Sequence, residues 1–440
     1  MTESLLLKNV RTVAEGGSSR QDVLVGPEGV LFLGADSISP DKGMSPYGES
    51  GMLFPDSGIS RRIAEVDASG YMLCPSLADM HVHFREPGFE YKETIATGSA
   101  AAARGGYGLV AAMPNLSPVP DSPQTLAVEQ AAIERDAVIT VLPYAAITLG
   151  RKGLQVVDIP ALKDSCVAFS DDGSGVQDEA RMEEAMRLAA RYDCVIAAHC
   201  EDDTLLHGGY IHDGEYARMH GHKGISSESE WGQIARDLSL AAKTGCRYHV
   251  CHISCKESVE LIRQAKRSGV RVTCETGPHY LLLSDKDLQE DGRFKMNPPL
   301  RDETDREALL EGLVDGTIDI IATDHAPHGA EEKSRGLRGS AMGIVGLETA
   351  FPVLYTGLVE KGVLPLEKLV DLMAEAPRRI FGLRPAIDEG SFALFDLETS
   401  YRIDPAEFAS KGKATPFSGW EVKGRCLINI CKKRVVYQAL

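Results

Sequence analysis

The sequence is short of positive charge, of aromatic side chains and of long apolar runs. Lysine and arginine number 47 against 64 acidic residues, a formal charge of −17, and aromatics make up 6%. A polyanionic partner needs a concentrated basic patch. The one short basic run, Lys432, Lys433 and Arg434, reads as a solvated strand end, so nucleic acid is not expected as a partner. No window offers about 18 uncharged apolar residues, which argues against a membrane-spanning helix. The segment Met1–Val10 lacks the basic stretch and apolar core of an export signal. Ten cysteines are scattered without the spacing of a disulfide scaffold, which predicts a reduced, cytoplasmic protein.

What is present is a long globular chain of 440 residues, 43% hydrophobic, with 43 glycines and 22 prolines. Short strands and turns fill residues 1–70: Leu5–Val10, Asp22–Val25, Val30–Leu33 and Arg62–Val66. Between Gly34 and Ser60 the composition is that of a long loop. From about residue 71 apolar segments of four to seven residues alternate with helical patterns. The strands expected are Leu77–His83, Gly108–Met113, Val138–Leu142, Cys166–Ser170, Cys194–His199, Tyr248–His252, Val270–Cys274 and Asp319–Thr323. Helices are expected over Tyr91–Arg104, Leu126–Arg135, Glu179–Arg191, Glu228–Thr244, Lys256–Ser268 and Arg306–Asp315. Eight strand–helix units predict an α/β fold, a closed (β/α)8 TIM barrel over residues 71–385. No G-x-G-x-x-G follows the first strand of this region, which weakens a dinucleotide-binding alternative. The strand-rich ends, 1–70 and 386–440, are expected to pair into one small β-sandwich domain.

Polar residues recur at one end of the expected barrel. His81 and His83 finish the first strand, and period-two spacing turns both to one face, where they can converge on a metal. Asp171 and Asp172 end the fourth strand, His199 the fifth, His252 the sixth, and Asp324 with His325 the eighth. His81, His83, His199, His252, Asp172 and Asp324 exceed what one tetrahedral zinc can use. Two metals about 3.5–4 Å apart, bridged by a carboxylate, fit better, with zinc first and manganese or cobalt as substitutes. Such a pair is hydrolase chemistry on an amide-like bond. Arg85, Asn115, Asn297 and His328 complete the polar set and suit a small anionic amide or imide. The plainer readings are a surface arginine, turn-forming asparagines and a capping histidine. His249 and His279 read as packed groups, and Cys251 and Cys255 as buried thiols. His207, His212, His220 and His222 read as exposed residues of a glycine-rich loop.

These segments resemble the cyclic amidohydrolases of the amidohydrolase superfamily, most closely the dihydroorotases of the long bacterial type. The resemblance rests on Asp79-Met-His-Val-His-Phe-Arg-Glu-Pro-Gly88, Met113-Pro-Asn115, Asp171-Asp-Gly173, His199-Cys-Glu-Asp202 and Val250-Cys-His-Ile-Ser254. It continues through Asn297-Pro-Pro-Leu-Arg301, Ile321-Ala-Thr-Asp-His-Ala-Pro-His328, Gly343-Ile-Val-Gly-Leu-Glu-Thr349 and Lys411-Gly-Lys-Ala-Thr-Pro-Phe417. It implies that His81, His83 and Asp324 bind the more buried metal, that His199 and His252 bind the second, and that Asp172 bridges. It implies that a hydroxide held between the metals attacks the ring amide of L-dihydroorotate, with Asp324 as base and then acid. Arg85, Asn115, Asn297 and His328 would contact the substrate, Arg85 through its carboxylate. Other branches often bridge their metals with a carboxylated lysine. Here Ala168-Phe-Ser-Asp-Asp172 has none, which favours this type over allantoinase, hydantoinase or dihydropyrimidinase. The family also implies a homodimer, sometimes joined to aspartate transcarbamoylase; a non-catalytic partner of that enzyme is the alternative outside catalysis. Departures from the family pattern fall in Gly34–Ser60, Pro75-Ser76-Leu77, Glu275-Thr-Gly-Pro-His279 and Ser334–Met342.

Overall fold

The computed structural model describes residues 4–14, 17–26, 29–33 and 63–440; the expected Gly34–Ser60 loop lies outside the described residues. Two parallel runs of strands build the barrel wall. Leu77–Val82, Tyr107–Ala112 and Thr140–Pro143 form one. Val195–Ala198, Arg247–Val250, Val272–Thr276 and Ile320–Ile321 form the other. Phe169 bridges Ala145 on one side and Ile196 on the other, and His325 bridges Val82, so the wall closes into a barrel.

The fourth strand is less regular than Cys166–Ser170 was expected to be. Its backbone still bonds both neighbours, through Phe169 N–H to Val195 O (3.0 Å) and Ser170 N–H to Ala145 O (2.9 Å). The ladder stops there because the chain turns inward. The Asp171 carboxylate takes the N–H groups of Ile147 (2.8 Å) and Thr148 (3.1 Å) from the neighbouring loop, which leaves Asp172 facing the barrel mouth.

Helices cover the wall where sequence signals place them. Glu179–Arg191 starts at Asp178, whose side chain accepts from Arg181 N, and Glu228–Thr244 ends at Gly245 with φ +72°. That left-handed closing residue is the reason for a glycine there. Along Glu228–Thr244, Ile234, Leu238 and Ala241 are buried against the barrel, while Ala242 is exposed. Among the described residues no helix is long and apolar enough to cross a membrane.

The two chain ends meet in a second sheet. Its path runs Arg434–Gln438, Arg425–Cys431, Phe392–Asp396, Tyr71–Pro75, Ser4–Ala14, Gly17–Gly26 and Gly29–Leu33, with Ile63–Asp67 also on Ser4–Ala14. It has its own apolar core, including Leu7, Val23, Leu73, Leu394 and Ile430. Tyr71–Pro75, on the barrel side of the boundary drawn at residue 70, belongs by pairing to this sheet. Only Ser76 separates it from the first barrel strand.

Candidate active site

The C-terminal ends of the barrel strands bring the expected ligands together. Asp172 stands at the centre: a ring nitrogen of His81 (3.3 Å), His83 (3.6 Å), His252 (3.6 Å) and His199 (3.8 Å) faces its carboxylate. Asp324 Oδ1 lies 3.0 Å from His83 Nε2 and 3.6 Å from His81 Nε2. His199 Nδ1 is 2.9 Å from His252 Nε2. All six residues are buried. Burial would lift the Asp172 carboxyl, but facing His81, His252 and His83 hold it well below the usual carboxylate range.

The donor set fits a metal. His81, Asp172 and His252 form one converging group and His81, His83 and Asp324 another, each with its ligand atoms within 4.8 Å of one another. His81 Nε2 and Asp172 Oδ1 are buried and have no hydrogen-bond partner. Buried polar atoms are rarely left so, and imidazole with carboxylate is the chemistry of a divalent-cation centre.

The backbone is strained at the same place. Arg85, His252 and Asp324 have φ of +61°, +33° and +48°. Residues with side chains seldom adopt this region, and it gathers at sites where surrounding structure enforces it. Asp79 supplies part of that enforcement. Its carboxylate accepts Thr323 N–H (3.1 Å) and His81 N–H (3.0 Å), tying the strand that carries His81 to the one that ends at Asp324. Burial pushes the Asp79 carboxyl up to about 7 against these bonds.

Polar residues missed in the sequence orient the histidines. Glu275 Oε1 is 2.6 Å from His81 Nδ1, and Glu201 Oε2 is 3.5 Å from His199 Nε2. Asn115, expected to touch substrate, is instead engaged at both ends: Oδ1 lies 2.8 Å from His83 Nδ1 and Nδ2 donates to Asp172 at 3.3 Å. Asn297 Nδ2 donates to both oxygens of Glu201 at 3.0 Å, while its Oδ1 is buried without a partner. Glu275, Asn115 and Asn297 lie on strands or loops other than those of the residues they meet, so no spacing rule links them; Glu201 follows His199 by two residues, a signal that a motif alone does not tell from a solvated carboxylate.

Arg85 donates from Nε to Pro327 O (3.3 Å), and no ion pair of Arg85 with a carboxylate occurs among the described residues. The charges of Asp324, Asp172 and Glu332 act on it from farther off, while its burial pulls the pKa down. His328 Nε2 donates to Met342 O at 2.7 Å, and Lys92 Nζ approaches Nδ1 at 3.2 Å. Burial, with the charges of Arg85 and Lys92, pushes the His328 pKa down to about 3, so the ring is neutral at neutral pH. Gly343, with φ +134°, lets that loop pass: a Cβ there would stand 2.6 Å from Ala326 O and 3.0 Å from His328 Nε2. Beside His328 opens a cavity of about 270 Å³ whose lining includes Arg293, Lys333, Lys411 and Lys413.

Of the residues read as unremarkable, His249 is buried as expected, and Cys251 and Cys255 are buried free thiols. His212 is a correction. It was expected in solvent but is 8% exposed, because Ile211–His212 pairs with Gly224–Ile225 and folds its ring against Arg301.

Comparison with known proteins bears on the family and the fold. The Dihydro-orotase-like family profile matches residues 70–258. A dihydroorotase of Bacillus caldolyticus is 55% identical over 365 residues, covering 82% of this chain and 86% of the relative. One of Listeria innocua is 48% identical over 439 residues, 98% of each chain. Among solved structures, the L-hydantoinase (dihydropyrimidinase) of Arthrobacter aurescens superposes with a TM-score of 0.81 at 25% identity, over 100% of this chain and 96% of that one. The dihydropyrimidinase of Brevibacillus agri, at 20% identity and a TM-score of 0.79, shares the fold. With identity near half sustained along almost the whole length of such relatives, the chain belongs to the dihydroorotase family.

Proposed function

We propose that this chain is a zinc-dependent dihydroorotase, opening the ring amide of L-dihydroorotate to N-carbamoyl-L-aspartate and closing it in the reverse, pyrimidine-building direction. The observation that carries the reading is one carboxylate, Asp172, faced by four histidines beside Asp324 at the mouth of the barrel. His81, His83 and Asp324 would hold one zinc, His199 and His252 a second, with Asp172 between them. Bound there, zinc polarises a carbonyl and lowers the pKa of water.

The chain's own groups supply the rest. Asp324 accepts the proton of the attacking water and delivers it to the departing ring nitrogen, acting as base and then acid. Arg85 offers its guanidinium fork to the substrate carboxylate, a contact that rings without a carboxylate cannot use. Asn297 and His328 border the ring. Asn115 reaches the substrate side only while also holding His83 and Asp172 in place. The fold likeness to hydantoinase and dihydropyrimidinase leaves those rings as the alternative, and a non-catalytic partner role requires loss of ligands that this chain retains.

The resemblance to long bacterial dihydroorotases supports three further proposals: a cytoplasmic location, a homodimer, and association with aspartate transcarbamoylase. Division into a barrel of 71–385 and a β domain of 1–70 plus 386–440 is also a proposal, with Tyr71–Pro75 moved to the β side by its pairing.

The test is ring opening by zinc-loaded protein, with allantoin, hydantoin and dihydrouracil alongside L-dihydroorotate. Fast, chelator-sensitive turnover of dihydroorotate alone is expected. No turnover by protein that has bound zinc would overturn the assignment.

A further inference from the structure

Glu275 lies in the seventh barrel strand, Val272–Thr276, and is 1% exposed. Its carboxylate spans two rings: Oε1 is 2.6 Å from His81 Nδ1, and Oε2 is 3.2 Å from His249 Nε2. Oε1 also accepts the backbone N–H of His252 at 3.3 Å. Behind His249, Nδ1 meets Thr273 Oγ1 at 2.8 Å.

The proton positions follow from what these groups can do. An ionised carboxylate only accepts, so His81 donates from Nδ1, and the neutral ring a metal requires then has its lone pair on Nε2. That lone pair faces Asp172 at 3.3 Å and Asp324 at 3.6 Å. His249 donates from Nε2, which makes its Nδ1 an acceptor for the Thr273 hydroxyl. A chain of four side chains, Thr273, His249, Glu275 and His81, thereby ends on an Nε2 aimed at Asp172 and Asp324. The bond to His252 N–H sits where the backbone is left-handed, at φ +33°.

We propose that Glu275 is a positioning residue that couples the two halves of the metal centre, fixing the ring of His81 and the backbone of His252 with one carboxylate. The inference rests on the two-metal reading above. Glu201 has a narrower reach, approaching the His199 ring at 3.5 Å. Loss of Glu275 therefore weakens both metal positions together, and loss of Glu201 weakens one.

Glu275→Gln and Glu201→Gln separate these cases. The glutamine amide oxygen can still accept from His81, so the packing is kept while the charge goes. Metal release to a chromophoric chelator, and the visible spectrum of the cobalt-loaded protein, read the centre without turnover. Glu275→Gln is expected to weaken zinc binding about 10–100-fold. Both metals should leave faster together, and excess zinc should restore part of the turnover. Glu201→Gln should speed one release step only. His249→Leu, which leaves Glu275 in place and removes a donor, should shift release the same way by a smaller factor; it decides the matter if Glu275→Gln does not fold. Release of both metals within about threefold of wild type in the Glu275 and His249 variants would overturn the proposal, as would acceleration of one metal alone in Glu275→Gln. Wild-type protein that binds no zinc overturns the metal reading itself, and this inference with it.

Discussion

The barrel mouth and the terminal sheet treat the same backbone feature differently. Both contain side-chain-bearing residues with positive φ. In the sheet these are Asn9, Lys432 and Lys433, all exposed, at a register shift and in a hairpin turn. At the mouth they include His252 and Asp324, both buried, with Arg85 beside them. A turn residue in that conformation answers to topology alone. A buried, ionisable one is held there by its neighbours, here Glu275 on the His252 N–H and His83 on the Asp324 carboxylate. The sheet encloses a core of side chains such as Leu7, Leu73 and Leu394, whereas the mouth buries carboxylates and imidazoles with atoms left unpartnered. One region is built for stability, and the other spends stability on placement of charge.

The contrast sharpens most at Asp324. Asp324→Asn should cut dihydroorotate turnover by about 10²–10⁴-fold, the range for a lost general acid–base. Its melting temperature should stay within a few degrees of wild type; turnover within a few-fold of wild type would remove Asp324 from the mechanism. In the sheet, Leu394→Ala should do the reverse. Truncation of a buried leucine costs about 2–5 kcal/mol, read as a lower denaturation midpoint, while KM and kcat of the folded fraction stay unchanged.

Glu348 tests the seam between the regions by pH. It accepts from Ala409 N (2.9 Å) and Ser410 N (3.3 Å), with Arg104 Nε at 3.4 Å, and burial pushes its carboxyl up to about 7. A folded pKa above the unfolded value means stability that is present below pH about 4.5 and lost as pH rises through about 7. Glu348→Gln should flatten that fall, by up to about 3 kcal/mol, in denaturant titrations across this window. An equal slope in both proteins would show that Glu348 is ionised throughout. The smallest effect is expected from Arg85→Gln. It should raise KM for dihydroorotate about 10–100-fold, about 1.4–2.7 kcal/mol, and leave any trace activity on dihydrouracil, which has no carboxylate, untouched.

What the sequence reveals follows from what spacing can encode. His81 and His83 announce themselves by period two, and His199, His252 and Asp324 by standing at strand ends. Glu179–Arg191 and Glu228–Thr244 match their expected bounds because cap residues and apolar faces coincide there. Glu275 escapes because its partners lie on other strands, and no interval in the chain records such a meeting; Glu201 and Asp79 each stand two residues from a histidine they contact, but that interval alone does not tell an orienting carboxylate from a solvated one. Tyr71–Pro75 escapes for a different reason: it runs into the first barrel strand with a single residue between them, so periodicity sees one apolar segment where two sheets are being served. His212 misleads because glycine-rich composition describes a loop's content and not its cover.

That single residue has a consequence for insertions and deletions. Ser76 donates its N–H to Ser391 O (3.1 Å) and gives its carbonyl to buried Arg378 Nη1 (2.9 Å), so the junction is pinned from two sides. The strand beyond it advances about 3.3 Å per residue with side chains alternating, and it carries no slack before His81. One residue added or removed at the junction would swing His81 and His83 off Asp172 and Asp324 unless the whole terminal sheet slid with it. Length changes should therefore be tolerated far better in the surface loops than at this hinge-like step, where the chain's sense of inside and outside is set by counting.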